Sequence, residues 1–271
     1  MKRSPFRYGW AVVFGLCIAV TGAPAQTRDY EPQVGQAGKD VVWVPTDQAL
    51  VDIMLDLAKV TPADYVIDLG SGDGRTVITA AKRGARALGI EYNPDMVALS
   101  IRNAEKEGVS GRASFMKADL FETDLSEASV ITMFLLPSIN LKLRPTLLGL
   151  RPGTRIVSNS FTMEEWKADQ VANLPESCIT WCTAYLWIVP AAVQGIWEMG
   201  EGELELGQDF QMVTGSLRAG HLNALVSGKV TGDRIDFDAA GVHYTGRVEG
   251  DTMSGTRTSG GADAPWKAVR R

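Results

Sequence analysis

The stretch VIDLGSGDGRTVI, Val66 to Ile78, sets Gly70, Gly72 and Gly74 among Asp68 and Asp73 within seven residues, between two apolar runs. The run that precedes it, YVIDL, reads as a short buried strand, and the residues from about Arg75 to Arg83 read as a helix. The glycines therefore fall on a strand-to-helix turn, where a ligand can approach backbone amides at a helix N-terminus. A pyrophosphate would suit the amides, but the carboxylates would repel it. Arg75 also stands where the dinucleotide fingerprint G-x-G-x-x-G needs its third glycine. The two acids suit a ligand that carries cationic groups. Asp73 also suits a helix start, where the macrodipole favours an acid.

The same unit recurs on either side. Thr46 can cap a helix to Lys59 whose Leu50, Ile53, Met54 and Leu57 keep helical spacing. Downstream, ALGIE reads as a strand, Asn93 and Pro94 open a helix, and Gly108 closes it. ASFMK and ASVITMF read as strands, followed by a helix over Asn140 to Leu150, the strand RIVSNSF and a long strand from Ile179 to Val189. Alternating strands and helices predict an α/β domain with a doubly wound, mostly parallel sheet.

After Pro190 the helical period disappears. SGKVTGDRI (Ser227–Ile235) and TGRVEGDTM (Thr245–Met253) nearly repeat eighteen residues apart, each with Gly-Asp between alternating residues. That is the pattern of a two-residue hairpin turn. It predicts a small antiparallel all-β meander, a curved sheet or partial barrel, with Val230 and Val248 on its buried face.

The first residues read differently again. Lys2, Arg3 and Arg7 precede an apolar run from Trp10 to Val20 that ends in TGAPAQ, the pattern of a secretory signal cut after Ala25. A membrane anchor is the other reading, although Arg7 shortens the uninterrupted apolar run. Leu16 before Cys17 argues against a lipoprotein signal. The expected organisation is a signal peptide over 1–25, a loose linker over 26–40, the α/β domain over 41–190 and the β domain over 191–271. The body is expected to be exported, periplasmic or membrane-anchored.

A formal charge of −5 argues against non-specific nucleic-acid binding. Two histidines and three cysteines show no metal-ligand spacing, so no metal site is expected. Cys178 and Cys182 lie in SCITWCTAYLWIV, which reads as a strand. Positions four apart on a strand are about 13 Å apart, too far for a disulfide, so two buried free thiols are expected.

The segment DLGSGDG resembles the S-adenosylmethionine motif D/E-x-G-x-G-x-G of the seven-strand, class I methyltransferases. Glu91 ends the second strand, where that family accepts the ribose hydroxyls, and Asp119 follows the third, where it contacts the adenine amino group. The resemblance thus implies S-adenosyl-L-methionine as cofactor, held by Asp68, Gly70, Ser71, Gly72, Asp73, Gly74, Glu91 and Asp119. VWVPTDQALVDIMLDLAKV, FLLPSINLKLRPTLL and PGTRIVSNSF narrow the likeness to the group that holds the mitochondrial protein-lysine methyltransferases of the ATP synthase c subunit and the adenine nucleotide translocase. It covers roughly Val41 to Asp169.

That likeness implies N-methylation of a protein lysine, with a small amine as the other acceptor class and a membrane-embedded protein among the implied substrates. It places Phe134, Pro137 and Asn159 at the acceptor pocket. Phe134 stands where the resemblance leads one to expect tyrosine, Asn159 where it leads one to expect histidine, and no general base is evident. Phe134 reads either as pocket wall or as core. Trp166 and Asp169, after the fifth strand, face the same rim in this reading, with core or edge packing the alternative for Trp166. A rival reading, an exported binding protein on a methyltransferase scaffold, follows from the conflict between an exported body and a cofactor made in the cytoplasm. A nucleotide-dependent oxidoreductase is disfavoured by the glycine spacing.

Overall fold

The computed structural model describes residues 1–2, 30–175, 178–200 and 202–271. Past its first two residues, the expected signal lies outside the described residues. From Thr46 onward the chain forms α1 (Gln48–Leu57), β1 (Tyr65–Leu69), α2 (Arg75–Lys82), β2 (Arg86–Glu91), α3 (Pro94–Lys106), β3 (Ala113–Lys117), β4 (Val130–Met133), α4 (Pro137–Leu148), β5 (Arg155–Asn159), β6 (Gln170–Asn173) and β7 (Thr183–Ile188). The seven strands make one sheet in the order β3-β2-β1-β4-β5-β7-β6. Neighbours among β1 to β5 are parallel, whereas β7 runs antiparallel to both β5 and β6. The sheet is therefore mixed, with helices on both faces, a Rossmann-like α/β fold.

Local chemistry sets the helix ends. Asp47, not Thr46, caps α1, accepting from Ala49 N at 2.8 Å. Thr46 Oγ1 instead accepts from Asn159 Nδ2 at 3.2 Å. Asn93 caps α3 with Pro94 in its first turn, and Pro137, whose missing N–H would have no partner in a first turn, opens α4 earlier than the apolar spacing suggests. Leu50, Leu55, Val77 and Ala81 pack on one face of the sheet with Val66 and Val130. Ile67, Ile131, Leu143, Leu147, Trp166 and Trp187 fill the other.

Two sequence expectations fail around β7. The strand starts at Thr183, not Ile179, because residues 178–182 are not extended and Trp181 is left-handed at φ 59°. The fold-back brings the Cα atoms of Cys178 and Cys182 to 5.9 Å, and the two cysteines form a disulfide in place of the expected free thiols. Strand β6 was not expected at all. It is four residues long and mostly exposed, so it carries no burial period to read.

The C-terminal region closes into a barrel of eight antiparallel strands: β8 (Gly195–Met199), β9 (Gly202–Asp209), β10 (Met212–Ala219), β11 (Leu222–Thr231), β12 (Arg234–Ala239), β13 (Val242–Glu249), β14 (Thr252–Ser259) and β15 (Ala262–Arg270). The Gly232-Asp233 and Gly250-Asp251 turns join β11 to β12 and β13 to β14, with Thr231 opposite Arg234 and Glu249 opposite Thr252. Closure comes from β8 against β15, where Trp197 lies opposite Arg270. Val230 and Val248 face the interior with Phe237, Tyr244 and Trp266, whose rings pack at 4.6–5.7 Å between centroids. Side chains fill the barrel, as expected for eight strands.

The barrel docks at the end of the sheet where β5 begins and β7 ends. Ala191 N donates to Gly232 O at 2.8 Å, and Gln211 Nε2 to Lys167 O at 2.7 Å. Lys229 pairs with Asp169 at 2.7 Å, and Phe210 stacks on Trp166 at 6.1 Å. Trp166 and Asp169 therefore belong to this junction and to the core, not to the rim.

Candidate functional site

At the opposite end of the sheet a cavity of about 560 Å³ opens over the ends of β1 to β5. Its rim has two chemically distinct halves. Along β1, β2 and β3 stand Asp68, Glu91 and Asp119; along β4, β5 and the start of β7 stand Phe134, Phe161 and Trp181.

The acidic half is organised by the glycine loop. Gly70, Gly72 and Gly74 all take positive φ, which costs glycine little. At Gly72 an added Cβ would also come within 2.6 Å of Trp43 Nε1. Glu91 ties the loop to β2, accepting from Gly72 N at 3.0 Å and from Asn93 N at 2.9 Å. Asp68 is buried and accepts from Thr132 Oγ1 at 2.6 Å. Loss of water pushes its pKa up to about 7, against the Thr132 hydrogen bond and with help from the negative charges of Asp73 and Glu91. Ser71 lines the cavity, and its buried Oγ has no hydrogen-bond partner among the described residues.

Other expected site residues fall elsewhere. Asp73 lines the cavity, but Arg75 already holds its carboxylate at 2.6 Å while donating to Thr46 O at 2.7 Å. Gly74 is not among the lining residues; a Cβ there would meet Phe115 and Ser100 within 3 Å, so this glycine lets the loop pack on β3 and α3. Phe134 does line the cavity, but Pro137 and Asn159 do not. Asn159 has no solvent exposure, and its Oδ1 accepts from Ser160 Oγ at 2.7 Å. It stands behind the wall and braces Thr46.

Sequence reading missed the strap over the loop. Residues expected as loose linker fold back on themselves, with Gly35 N to Trp43 O at 2.8 Å and Trp43 N to Gln36 O at 2.9 Å, and residues 36–46 line the cavity. Lys39 forms an ion pair with Asp119 and lies 4.8 Å from the Tyr92 ring centroid. That hydrogen bond holds the Asp119 carboxyl below its usual range. The only local cue was the apolar run VVWVP after the glycines of the strap.

Known proteins are similar to part of this chain. The sequence profile of the ANTKMT methyltransferase domain matches residues 68–170. A protein-lysine N-methyltransferase of Saccharolobus islandicus (strain REY15A) is 44% identical over 152 residues, 55% of this chain and 94% of that protein. The human lysine N-methyltransferase of the ATP synthase c subunit is 39% identical over 107 residues, 39% of this chain and 46% of the relative, so the chain spans about half the length of that protein. A crystal structure described as an RNA methyltransferase from Salinibacter ruber, in complex with S-adenosyl-L-homocysteine, is 47% identical with a TM-score of 0.52. It covers 55% of this chain and 96% of that chain. The chain belongs to the methyltransferase family of the S. islandicus protein-lysine enzyme.

Proposed function

We propose that the protein is an S-adenosylmethionine-dependent N-methyltransferase acting on a protein lysine. The observation that carries this reading is the acidic half of the rim, three carboxylates on three adjacent strands around a glycine loop with an orphaned Ser71 hydroxyl. S-adenosylmethionine, when bound, supplies an electrophilic methyl group on a sulfonium. Asp68, Ser71, Gly72, Glu91 and Asp119 are the residues proposed to hold it. Asp68 offers a buried negative charge to a cationic ligand, and Glu91 keeps the loop at a fixed distance from β2. The strap, through Trp43 and Lys39, covers the loop and excludes water.

The aromatic half suits an amine. Its ring faces attract the amine while it is charged, and a fixed wall keeps it in position, which supplies much of the acceleration of a displacement once the proton has left. The acidic charge of the chain fits a protein acceptor better than a nucleic-acid backbone. Incubation of the purified protein with isotope-labelled S-adenosylmethionine and soluble protein, membrane-protein and RNA fractions tests the reading. Label should appear on lysine Nε and fall with Glu91→Ala at limiting S-adenosylmethionine. Label confined to RNA would overturn the acceptor assignment.

The body is proposed to be exported. The basic and apolar N-terminal pattern supports this, as does the Cys178–Cys182 disulfide, a bond that persists in oxidising compartments. Cell fractionation should find it outside the cytoplasmic membrane, with a new N-terminus at Gln26 if the signal is cut. A full-length cytoplasmic product would refute export.

A further inference from the structure

We infer that Trp181, carried on the Cys178–Cys182 loop, is a specificity-determining wall of the acceptor pocket that recognises an alkylammonium group. The inference rests on the methyltransferase reading above but goes beyond the segment the family profile covers, which ends at residue 170.

Three rings from three loops meet at the cavity. The Phe134 and Phe161 centroids are 5.9 Å apart, Phe134 and Trp181 5.5 Å, and Phe161 and Trp181 5.2 Å. All three line the cavity, and none is fully buried. Trp181 keeps 42% of its surface exposed, so a large apolar side chain stands in water at the mouth of the cavity. Ring faces arranged in this way attract a cation through their quadrupoles and accept methyl groups without a hydrogen bond to break.

The backbone is arranged to aim these rings. Trp181 and Ser160, the residue before Phe161, are both left-handed, at φ 59° and 58°. Non-glycine residues seldom adopt that region, and they hold it where surrounding structure imposes it. Ser160 N donates to Thr183 O at 2.7 Å, joining the two ring-bearing loops. The disulfide closes the five-residue loop immediately before β7, so the segment that carries the indole is cross-linked beside the strand. Among the described residues this is the only disulfide, and the ring it steers is the one at the mouth.

The test uses the full chain saturated with S-adenosylhomocysteine, titrated with Nα-acetyl-trimethyllysine amide and, as a neutral control, Nα-acetyl-norleucine amide. Calorimetry reads both. The cationic probe should bind more tightly than the control. Trp181→Ala should weaken it about two- to thirtyfold, whereas Trp181→Phe should retain most of the affinity. Cys178→Ser with Cys182→Ser should also weaken the probe, and S-adenosylhomocysteine affinity should be unchanged in every variant. Equal binding of the two probes would overturn the inference. So would a Trp181→Ala protein that binds the cation like wild type, or that loses S-adenosylhomocysteine to the same extent. A wild type that binds no S-adenosylhomocysteine would overturn the methyltransferase reading instead, which separates the two failures.

Discussion

On the β3-β2-β1 side of the rim three carboxylates, Asp119, Glu91 and Asp68, stand within two residues of a strand end; on the β4-β5-β7 side three rings, Phe134, Phe161 and Trp181, do the same. The scaffold position is the same and the physics is opposite. The acids act through charge and hydrogen bonds that are strengthened by burial, and they suit a ligand rich in donors and positive charge. The rings act through shape, exclusion of water and a diffuse quadrupole, and they suit an alkylated amine. One rim can therefore receive two ligands without either competing for the other's groups.

The largest expected effect breaks the acidic half. Glu91→Ala removes the acceptor for Gly72 N and Asn93 N as well as the proposed ribose contact. Loss of a charged acceptor costs about 1.5–3 kcal/mol, or roughly ten- to a hundredfold in S-adenosylmethionine affinity. The far-ultraviolet dichroism should stay normal. If calorimetry showed unchanged affinity in a folded variant, the acidic half would not be the cofactor side.

Asp68 gives a sharper test because its pKa is pushed up to about 7. A carboxyl raised in the folded state binds its proton there across a pH range in which the unfolded chain has lost it. Its contribution to stability therefore falls as pH rises from about 4 to about 7, and then levels off. Asp68→Asn should remove that slope and stabilise the ligand-free protein above pH 7 by ~2–4 kcal/mol, read as a higher Tm. Affinity for cationic S-adenosylmethionine should rise with pH toward 7 in the wild type and stay flat and weak in the variant. A variant less stable than wild type at pH 8 would show that Asp68 is held ionised by a partner the rim does not display.

The comparison also explains what was legible in the sequence. Asp68, the loop and Glu91 lie within about twenty-five residues and follow strand ends that the apolar runs mark, so a local pattern carries them. The rings come from positions 134, 161 and 181, and only the folded sheet brings them together. Trp181 was hidden because SCITWC has the β-branched and aromatic composition of a strand; composition does not reveal the left-handed turn that lets the disulfide form. Residues up to Asp40 were polar and glycine-rich enough to read as linker, yet the strap they open is held by Gly35 N to Trp43 O and Trp43 N to Gln36 O, by Lys39 on Asp119 and by Arg75 on Thr46 O. The hairpins of the barrel were readable from Gly-Asp turns, but its closure was not, because β8 and β15 pair across some seventy residues.

A smaller effect is expected at the strap. Trp43→Ala removes the indole that covers Gly72 and should lower cofactor affinity several-fold by admitting water. Lys39→Ala breaks an exposed ion pair with Asp119, and such pairs shift equilibria by less than about fivefold. Its effect should shrink further in high salt. A salt-independent loss in Lys39→Ala larger than that of Trp43→Ala would make Lys39 a direct ligand contact and not a latch.

The smallest expected effect at the rim comes from the barrel, which serves as the control for the comparison. Phe210 reaches out of the β9–β10 turn to stack on Trp166, and Arg144 lies 5.4 Å from its ring centroid. These contacts sit at the end of the sheet away from Asn159, and among the described residues none from the barrel lines the cavity. Phe210→Ala should cost about 1–3 kcal/mol of stability, since the half-buried ring leaves a gap beside Trp166. The S-adenosylmethionine dissociation constant should stay within about twofold of wild type. Adding Lys229→Ala, which removes the ion pair to Asp169, should lower Tm again and still leave that constant alone. A variant that kept its fold but lost cofactor affinity would mean that the barrel positions β5 and the strap through the sheet. The rim could then no longer be described by its two halves alone.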